Sequence, residues 1–244
     1  ELWFRLCAWQ ERMQENGLLY SLFTDNHDNG WLISRIGNDK QLRYETATCV
    51  AAMVYLLRGV CFIYQGQEFG MTNSCHDSIE EFDDVESKNM YAELIKTMTP
   101  EQAITKINFG GRDNTRRPMC WSGEAYGGFS TAKPWITTHS RYEEVNLEAD
   151  KAREKSVFRF YKALLTLRRE SDAILYGTLK VLSKEEDPFF LFEREKDGEK
   201  LTVAINFERE SEIALPENAE VVLHNYLDSA DTFRPYEIKV LKHK

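Results

Sequence analysis

The chain has 244 residues, 42% of them hydrophobic, and a formal net charge of −9, enough apolar material for one large core or a medium core with a small second one. The acidic balance excludes a binder of the nucleic-acid backbone, which repels it. The longest apolar run, Val50 to Leu57, is far shorter than the roughly 20 residues that cross a bilayer, so no membrane association is expected.

In chain order, Glu1 to Asn16 reads as a helix, with Leu2, Leu6, Trp9 and Met13 at helical spacing and Gly17 as a stop. Leu18 to Phe23 is an apolar run of strand length, and a polar stretch, Thr24 to Lys40, follows. Leu42 to Arg58 reads as an apolar helix ended by Gly59, and Val60 to Tyr64 as a second apolar strand. Short, wholly apolar strands alternating with helices indicate a parallel sheet covered on both faces. In a (β/α)8 TIM barrel the active site is built on the loops after the strands, here those after Phe23 and Tyr64.

The middle, Met71 to Asp150, is loop-rich, with short helices expected over Glu80 to Met98 and Pro100 to Ile107. Lys151 to Arg169 reads as one amphipathic helix, with Val157, Phe158, Tyr161, Leu164 and Leu165 on one face. Beyond Asp172 the pattern becomes that of strands: Thr178 to Ser183, Phe189 to Arg194, Leu201 to Phe207, Ile213 to Leu215, Val221 to Tyr226 and Tyr236 to Leu241. Lys196-Asp197-Gly198-Glu199 is a hairpin turn between two of them. The expected fold class is therefore α/β plus all-β. Residues 1–171 form the first part, and residues 172–244 form a small antiparallel β domain.

The five cysteines, Cys7, Cys49, Cys61, Cys75 and Cys120, are odd in number, widely spaced and without a Cys-x-x-Cys pair. They read as free thiols of a reducing compartment. No secretory pattern opens the chain at Glu1 to Arg5, and with the free thiols this predicts a cytoplasmic setting. His76 stands beside Cys75, but no further ligands lie at zinc spacing, so neither a metal nor a cofactor is expected.

Thr24-Asp25-Asn26-His27-Asp28 follows the first strand. A His-Asp pair there can meet a sugar: hydroxyls take carboxylate acceptors and imidazole donors, and a carboxylate near the anomeric carbon stabilises an oxocarbenium-like transition state. The same residues also suit a plain turn, because Asp and Asn are turn formers.

The surrounding residues carry a resemblance. Ser21-Leu22-Phe23-Thr24-Asp25-Asn26-His27-Asp28 resembles the strand-seven motif of glycoside hydrolase family 13, the α-amylase superfamily. The likeness continues through Ser34 to Asp39, Tyr64 to Asn73, Gly111 to Trp121, Pro134-Trp135-Ile136 and Arg234 to Glu237. This ordered set is similar to the oligo-1,6-glucosidase and α-glucosidase branch, with dextran glucosidases, trehalose-6-phosphate hydrolases and sucrose isomerases. The resemblance implies a C-terminal portion: strands seven and eight of a (β/α)8 barrel with their helices, then an antiparallel β-sandwich. Asp28 matches the family's third catalytic carboxylate. His27 matches the histidine that bonds the same glucose, and Arg112 an arginine of the glucose subsite, where a guanidinium can make a two-pronged bond. Without its motif, Arg112 would read as a surface salt bridge.

The family's nucleophile and acid/base follow strands four and five and match nothing in this chain. A retaining glycosidase needs those two groups about 5 Å apart, so the chain alone is expected to be inactive. Glu68, Glu80, Glu81, Asp83, Asp84 and Glu86 read as a solvated, partly helical face. Asn29-Gly30-Trp31 replaces the branch's usual Gln-Pro-Arg, and Cys120 its usual Gln. Trp31 could stack on a sugar or lie in the core. The expected partners are an α-linked gluco-oligosaccharide or disaccharide, and either a barrel segment carrying the other strands or a second copy, because two barrel strands alone leave sticky edges. A non-catalytic glycosidase-like interaction module, and a sucrose isomerase, transglycosylase or trehalose-6-phosphate hydrolase as the parent enzyme, are the alternatives.

Overall fold

The computed structural model describes residues 2–207, 209–228, 230 and 232–244, the side chains of residues 2–4 excepted. In chain order the elements are α1 (Leu2–Glu15), β1 (Tyr20–Leu22), α2 (Leu32–Ile36), α3 (Arg43–Tyr55), β2 (Gly59–Cys61), α4 (Val85–Leu94), α5 (Pro100–Gly110), α6 (Asp113–Arg116), α7 (Leu147–Ala152), α8 (Val157–Glu170) and α9 (Asp172–Tyr176). Then come β3 (Thr178–Val181), β4 (Phe189–Lys196), β5 (Glu199–Asn206), β6 (Ala219–His224) and β7 (Ile238–His243).

Two compact units result, each from discontinuous segments: residues 1–23, 45–62 and 159–244, and residues 24–44 with 63–158. In the first, β1 and β2 pair in parallel, Tyr20 opposite Gly59 and Leu22 opposite Cys61. Gly59 is required there, because a Cβ at this position would collide with the Tyr20 carbonyl oxygen. Among the described residues neither strand has a second partner. Leu18, Leu19, Phe23, Val60 and Phe62 are exposed around the pair.

The same unit holds a five-stranded sheet in the order β3-β4-β5-β7-β6, every pairing antiparallel. The β4–β5 hairpin turns through Asp197 and Gly198, both at positive φ (50° and 87°), as the expected two-residue turn demands. Helices provide the cover that a second sheet of a sandwich would provide. Helix α9 packs on β4 and β5, Cys49 of α3 donates to the Asn206 carbonyl at 3.7 Å, and Asn225 donates to Thr48 of α3 at 3.0 Å. The expected strand Ile213 to Leu215 does not form. That segment runs straight into Pro216, which has no N–H for a ladder, and the nearest pairing is an isolated bridge between Ser211 and Phe233.

In the second unit the helices are short and set by their caps. Thr99 opens α5 with a full capping box to Gln102 and Pro100 at the first turn. The single helix expected over Lys151 to Arg169 is broken at Arg153 to Ser156. The buried carboxylate of Asp150 ends the break by accepting from Ser156 Oγ (2.8 Å) and from the backbone N–H groups of Val157 (3.1 Å) and Phe158 (2.9 Å). Those N–H groups begin α8 and have no partner inside the helix. Among the described residues no helix is long and apolar enough to cross a membrane.

Candidate active site

The loop after β1 is built before it is functional. Asp25 is buried and accepts from Thr24 Oγ1 at 2.7 Å and from the Leu32 N–H at 2.6 Å. Burial pushes its carboxyl above the usual range against those hydrogen bonds. Gln67 donates to Thr24. Asn26 accepts from the Asp28 N–H at 2.8 Å and from the Asn29 amide at 3.1 Å, a local Asx turn. So Asp25 and Asn26 serve the backbone, and His27 and Asp28 are left to project. The loop after β2 is shaped by Gly66, at φ 91°, where a side chain would run into Met71.

Trp31 is a core residue. It is 2% exposed, its N–H groups donate to Asn73 Oδ1 (2.8 Å) and to the Asn114 carbonyl (3.1 Å), and its ring lies 5.9 Å from that of Tyr64. Of the two readings its sequence left open, packing is the one realised. The ring props up the segment opposite: Thr115 donates to the Asn29 carbonyl at 2.8 Å, and Tyr64 donates to the Thr115 carbonyl at 3.1 Å.

That opposite segment, α6 with the residue before it, carries the cations. Arg112 Nη1 lies 3.8 Å from Asp28 Oδ1, and His27 Nε2 lies 3.4 Å from Asp28 Oδ2. The three residues singled out from the sequence are therefore together. The closest cation to Asp28, however, is Arg116. Its Nη2 donates to Asp28 Oδ1 at 3.0 Å and its Nε to the His27 carbonyl at 2.7 Å. Sequence reasoning passed over it, although it lies four residues, one helical turn, after Arg112 and so shares its face.

Asp84 corrects the expectation of a solvated acidic face. Its side chain is only 3% exposed, against 53% for Asp28. It takes a two-pronged bond from Arg112, Nη2 to Oδ1 at 2.6 Å and Nε to Oδ2 at 3.4 Å. Burial by itself raises its carboxyl. The Arg112 hydrogen bond, the two from Ser87 and the Arg112 charge together hold it below the usual carboxylate range. The same bond to Asp84 raises Arg112. Glu86, exposed, adds a contact to Arg112 Nε at 2.9 Å. The side chain of Glu81 stays half-exposed, as expected of that face, and accepts from the buried His76 at 2.7 Å.

A cavity of about 480 Å³ shares Arg116 and is lined also by Gln65, Met119, Phe129, Lys133 and Trp135. Trp135 is 82% exposed there and Phe129 52%. Among the described residues no cluster of three or more His, Cys, Asp or Glu side chains is arranged to hold a metal ion.

The family model for the α-amylase catalytic domain matches residues 2–177. The chain belongs to the α-amylase family, glycoside hydrolase family 13. It is 36% identical to an oligo-1,6-glucosidase of Bacillus cereus over 98% of its own length and 45% of that enzyme's. It is similar in structure to the trehalose-6-phosphate hydrolase of Bacillus licheniformis, with a TM-score of 0.93 at 34% identity, covering 100% of this chain and 46% of the other. It is also similar to the isomaltulose synthase of Klebsiella sp. LX3, with a TM-score of 0.83 at 30% identity over 93% and 43%. The chain thus spans about half the length of the relatives it matches. The parallel strand pair and the antiparallel sheet belong to a chain whose structural neighbours are α-amylase-family enzymes.

Proposed function

We propose that this chain is the C-terminal portion of a retaining α-glucosidase that releases terminal α-linked glucose from short oligosaccharides, with residues 1–171 supplying barrel strands seven and eight and residues 172–244 the C-terminal β domain. The observation that carries this reading is the convergence of His27, Arg112 and Arg116 on the exposed carboxylate of Asp28 in the loop after β1. Asp28 Oδ1 is held by guanidinium groups, which direct the carboxylate. So placed, it can accept from glucose hydroxyls and stabilise positive charge developing at the anomeric carbon. His27 is the accompanying hydroxyl donor, and Arg112, its fork held by Asp84, presents Nη1 to the subsite. The cavity beside Arg116 has room for a second sugar ring, with Phe129 and Trp135 offering apolar faces.

The nucleophile and acid/base belong, in this reading, to a barrel segment with the other strands, which is the chain's first partner. The chain alone does not hydrolyse glucosides. Release of p-nitrophenol from p-nitrophenyl α-glucoside tests both statements, with Asp28→Asn as control. The chain by itself is expected to give no release above the control, and the chain co-expressed with a preceding barrel segment is expected to give release that Asp28→Asn removes. Release by the chain alone, abolished by Asp28→Asn, overturns the division of catalytic groups. Absence of release from a folded, assembled pair overturns the glucosidase reading and favours a non-catalytic, partner-binding module.

The likeness to a trehalose-6-phosphate hydrolase and an isomaltulose synthase favours a second reading of the same site, with a phosphorylated disaccharide or sucrose as substrate. Products from sucrose and from trehalose 6-phosphate separate the cases, since isomerisation returns the glucosyl group to a sugar and hydrolysis returns it to water.

A further inference from the structure

We propose that Asp84 is a positioning residue, a buried anchor that aims Arg112 and Arg116 at Asp28 and so sets the polar surface offered to a glucoside. The inference rests on the glucosidase reading for its function, but not for its geometry. Asp84 touches both arginines: Oδ1 lies 2.6 Å from Arg112 Nη2 and 3.7 Å from Arg116 Nη1. Each arginine also reaches Asp28, at 3.8 and 3.0 Å. Two guanidinium groups therefore bridge one buried carboxylate and one exposed carboxylate. The buried end is fixed and the exposed end is free to meet a ligand.

The anchor is fixed by bonds that have no other use for the arginines. Asp84 N-caps α4, its Oδ2 accepting from Ser87 N at 3.0 Å and from Ser87 Oγ at 3.1 Å. The backbone N–H groups of Asp83 and Asp84 donate to Asp113 Oδ2 at 2.7 and 3.0 Å. Asp113 is buried and belongs to α6, the helix that carries Arg116 and follows directly on Arg112. The start of α4 is thus pinned to α6 by backbone bonds, and the carboxylate between them holds the cations. Long, flexible arginine side chains lose much rotamer freedom when held, and a charged, two-pronged acceptor is the type of partner that can hold them.

The two roles of Asp84 can be separated, because asparagine is as good an N-cap as aspartate. In Asp84→Asn the amide oxygen can keep the Ser87 bonds while the NH2 group faces Arg112, a donor against a donor. The experiment is guanidinium NMR on the chain, read at the Nη groups of Arg112, because Arg112 Nε also meets Glu86 and Arg116 Nε is held by the His27 carbonyl. Wild type is expected to show a protected, slowly exchanging Nη signal for Arg112, and Asp84→Asn to lose that protection while α4 remains folded. Ser87→Ala removes the Oγ bond of the cap, keeps the backbone N–H bond and leaves the arginines anchored, so its arginine signals are expected to match wild type. Protection that survives in folded Asp84→Asn overturns the proposal, as does loss of protection in Ser87→Ala with the fold intact. If Asp84→Asn does not fold, Asp84→Glu, which keeps the charge and moves it by one methylene, is expected to keep protected signals at shifted positions. Unprotected arginines in that folded variant also overturn the proposal. In the assembled enzyme Asp84→Asn is expected to lower kcat/KM at least about tenfold, and an unchanged value overturns the functional role. An assembled wild type without glucosidase activity bears on the activity reading alone, since the NMR result stands apart from it.

Discussion

Single residues decide what the candidate site is made of. Trp31 is the clearest case, because its sequence allowed either a sugar-stacking ring or a core ring, and its 2% exposure makes it a core ring. Trp31→Ala is expected to destabilise the chain by about 3–5 kcal/mol, as large aromatic truncations in cores do, read as the shift in urea midpoint. A change below about 1 kcal/mol would return the ring to the surface. The motif His27-Asp28 was legible because two uncommon side chains stand together after an apolar strand, and Arg112 because of its motif. Arg116 and Asp84 were not legible. The four-residue spacing puts Arg116 on the face of Arg112, but that it closes on Asp28 depends on α6 meeting the loop after β1, and that Asp84 is buried depends on α4 meeting α6.

Elements are ended and joined by buried polar groups, and this is where the local reading of the chain was least complete. The carbonyls at the end of α3 lie in the core, where they need donors. Arg168 gives Nη1 to Tyr55 O (2.7 Å) and Leu57 O (3.1 Å), and Nη2 to Gly59 O. Arg194, fully buried, gives Nη1 to Leu56 O (2.8 Å) and Nη2 to Gly177 O (2.9 Å). Burial lowers Arg194 to about 9, with the charges of Arg168 and Arg58 adding to the effect. Arg194→Leu is expected to cost about 3 kcal/mol or more, because it orphans buried carbonyls of two elements at 1–3 kcal/mol each. Thermal or urea unfolding checks it. The strand alternation of β4 made Arg194 look like an ordinary sheet residue. The break between α7 and α8 was hidden for the same reason: helical periodicity runs through Lys151 to Arg169, and only the inward turn of Asp150 cuts it.

At the scale of the whole molecule, pH and exposed apolar surface give two further expectations. His139 is buried, with Nδ1 accepting from the Arg141 N–H at 3.0 Å and Nε2 placed 3.1 Å from Thr72 Oγ1, an arrangement of the neutral ring. Burial first, then the nearby Arg117 and Arg141 charges, push it down to about 4. Its ordinary value is about 6.5, so between about 6.5 and 4 the unfolded chain binds a proton that the folded chain refuses, and stability falls as pH drops through that window. The loss is expected to be about 2 kcal/mol by pH 5, measured by urea unfolding at pH 7 and pH 5, and reduced in His139→Gln. Lowered by burial in the same direction, His76 adds to it. Asp84, held below its ordinary value, contributes only at lower pH, where its ion pair is lost. The exposed apolar residues around β1 and β2 are expected to make the isolated chain associate with rising concentration. Val60→Lys with Phe62→Lys is expected to suppress this in sedimentation velocity. Association unchanged by both would place the contact elsewhere.

By itself the sequence determined the order and type of most elements, the β4–β5 turn, the family and the place of His27, Asp28 and Arg112. Those depend on local periodicity, turn chemistry and motif residues, which neighbouring positions carry. Tertiary structure alone decided that helices cover the five-stranded sheet, that Trp31 packs inward, that Asp150 breaks a helix, and that Asp84 and Arg116 complete the cluster at Asp28. Each of these depends on a buried polar or aromatic side chain finding its partner tens of residues away. The cost of leaving such a group unpaired is set by the packing around it, which the linear order of residues does not contain.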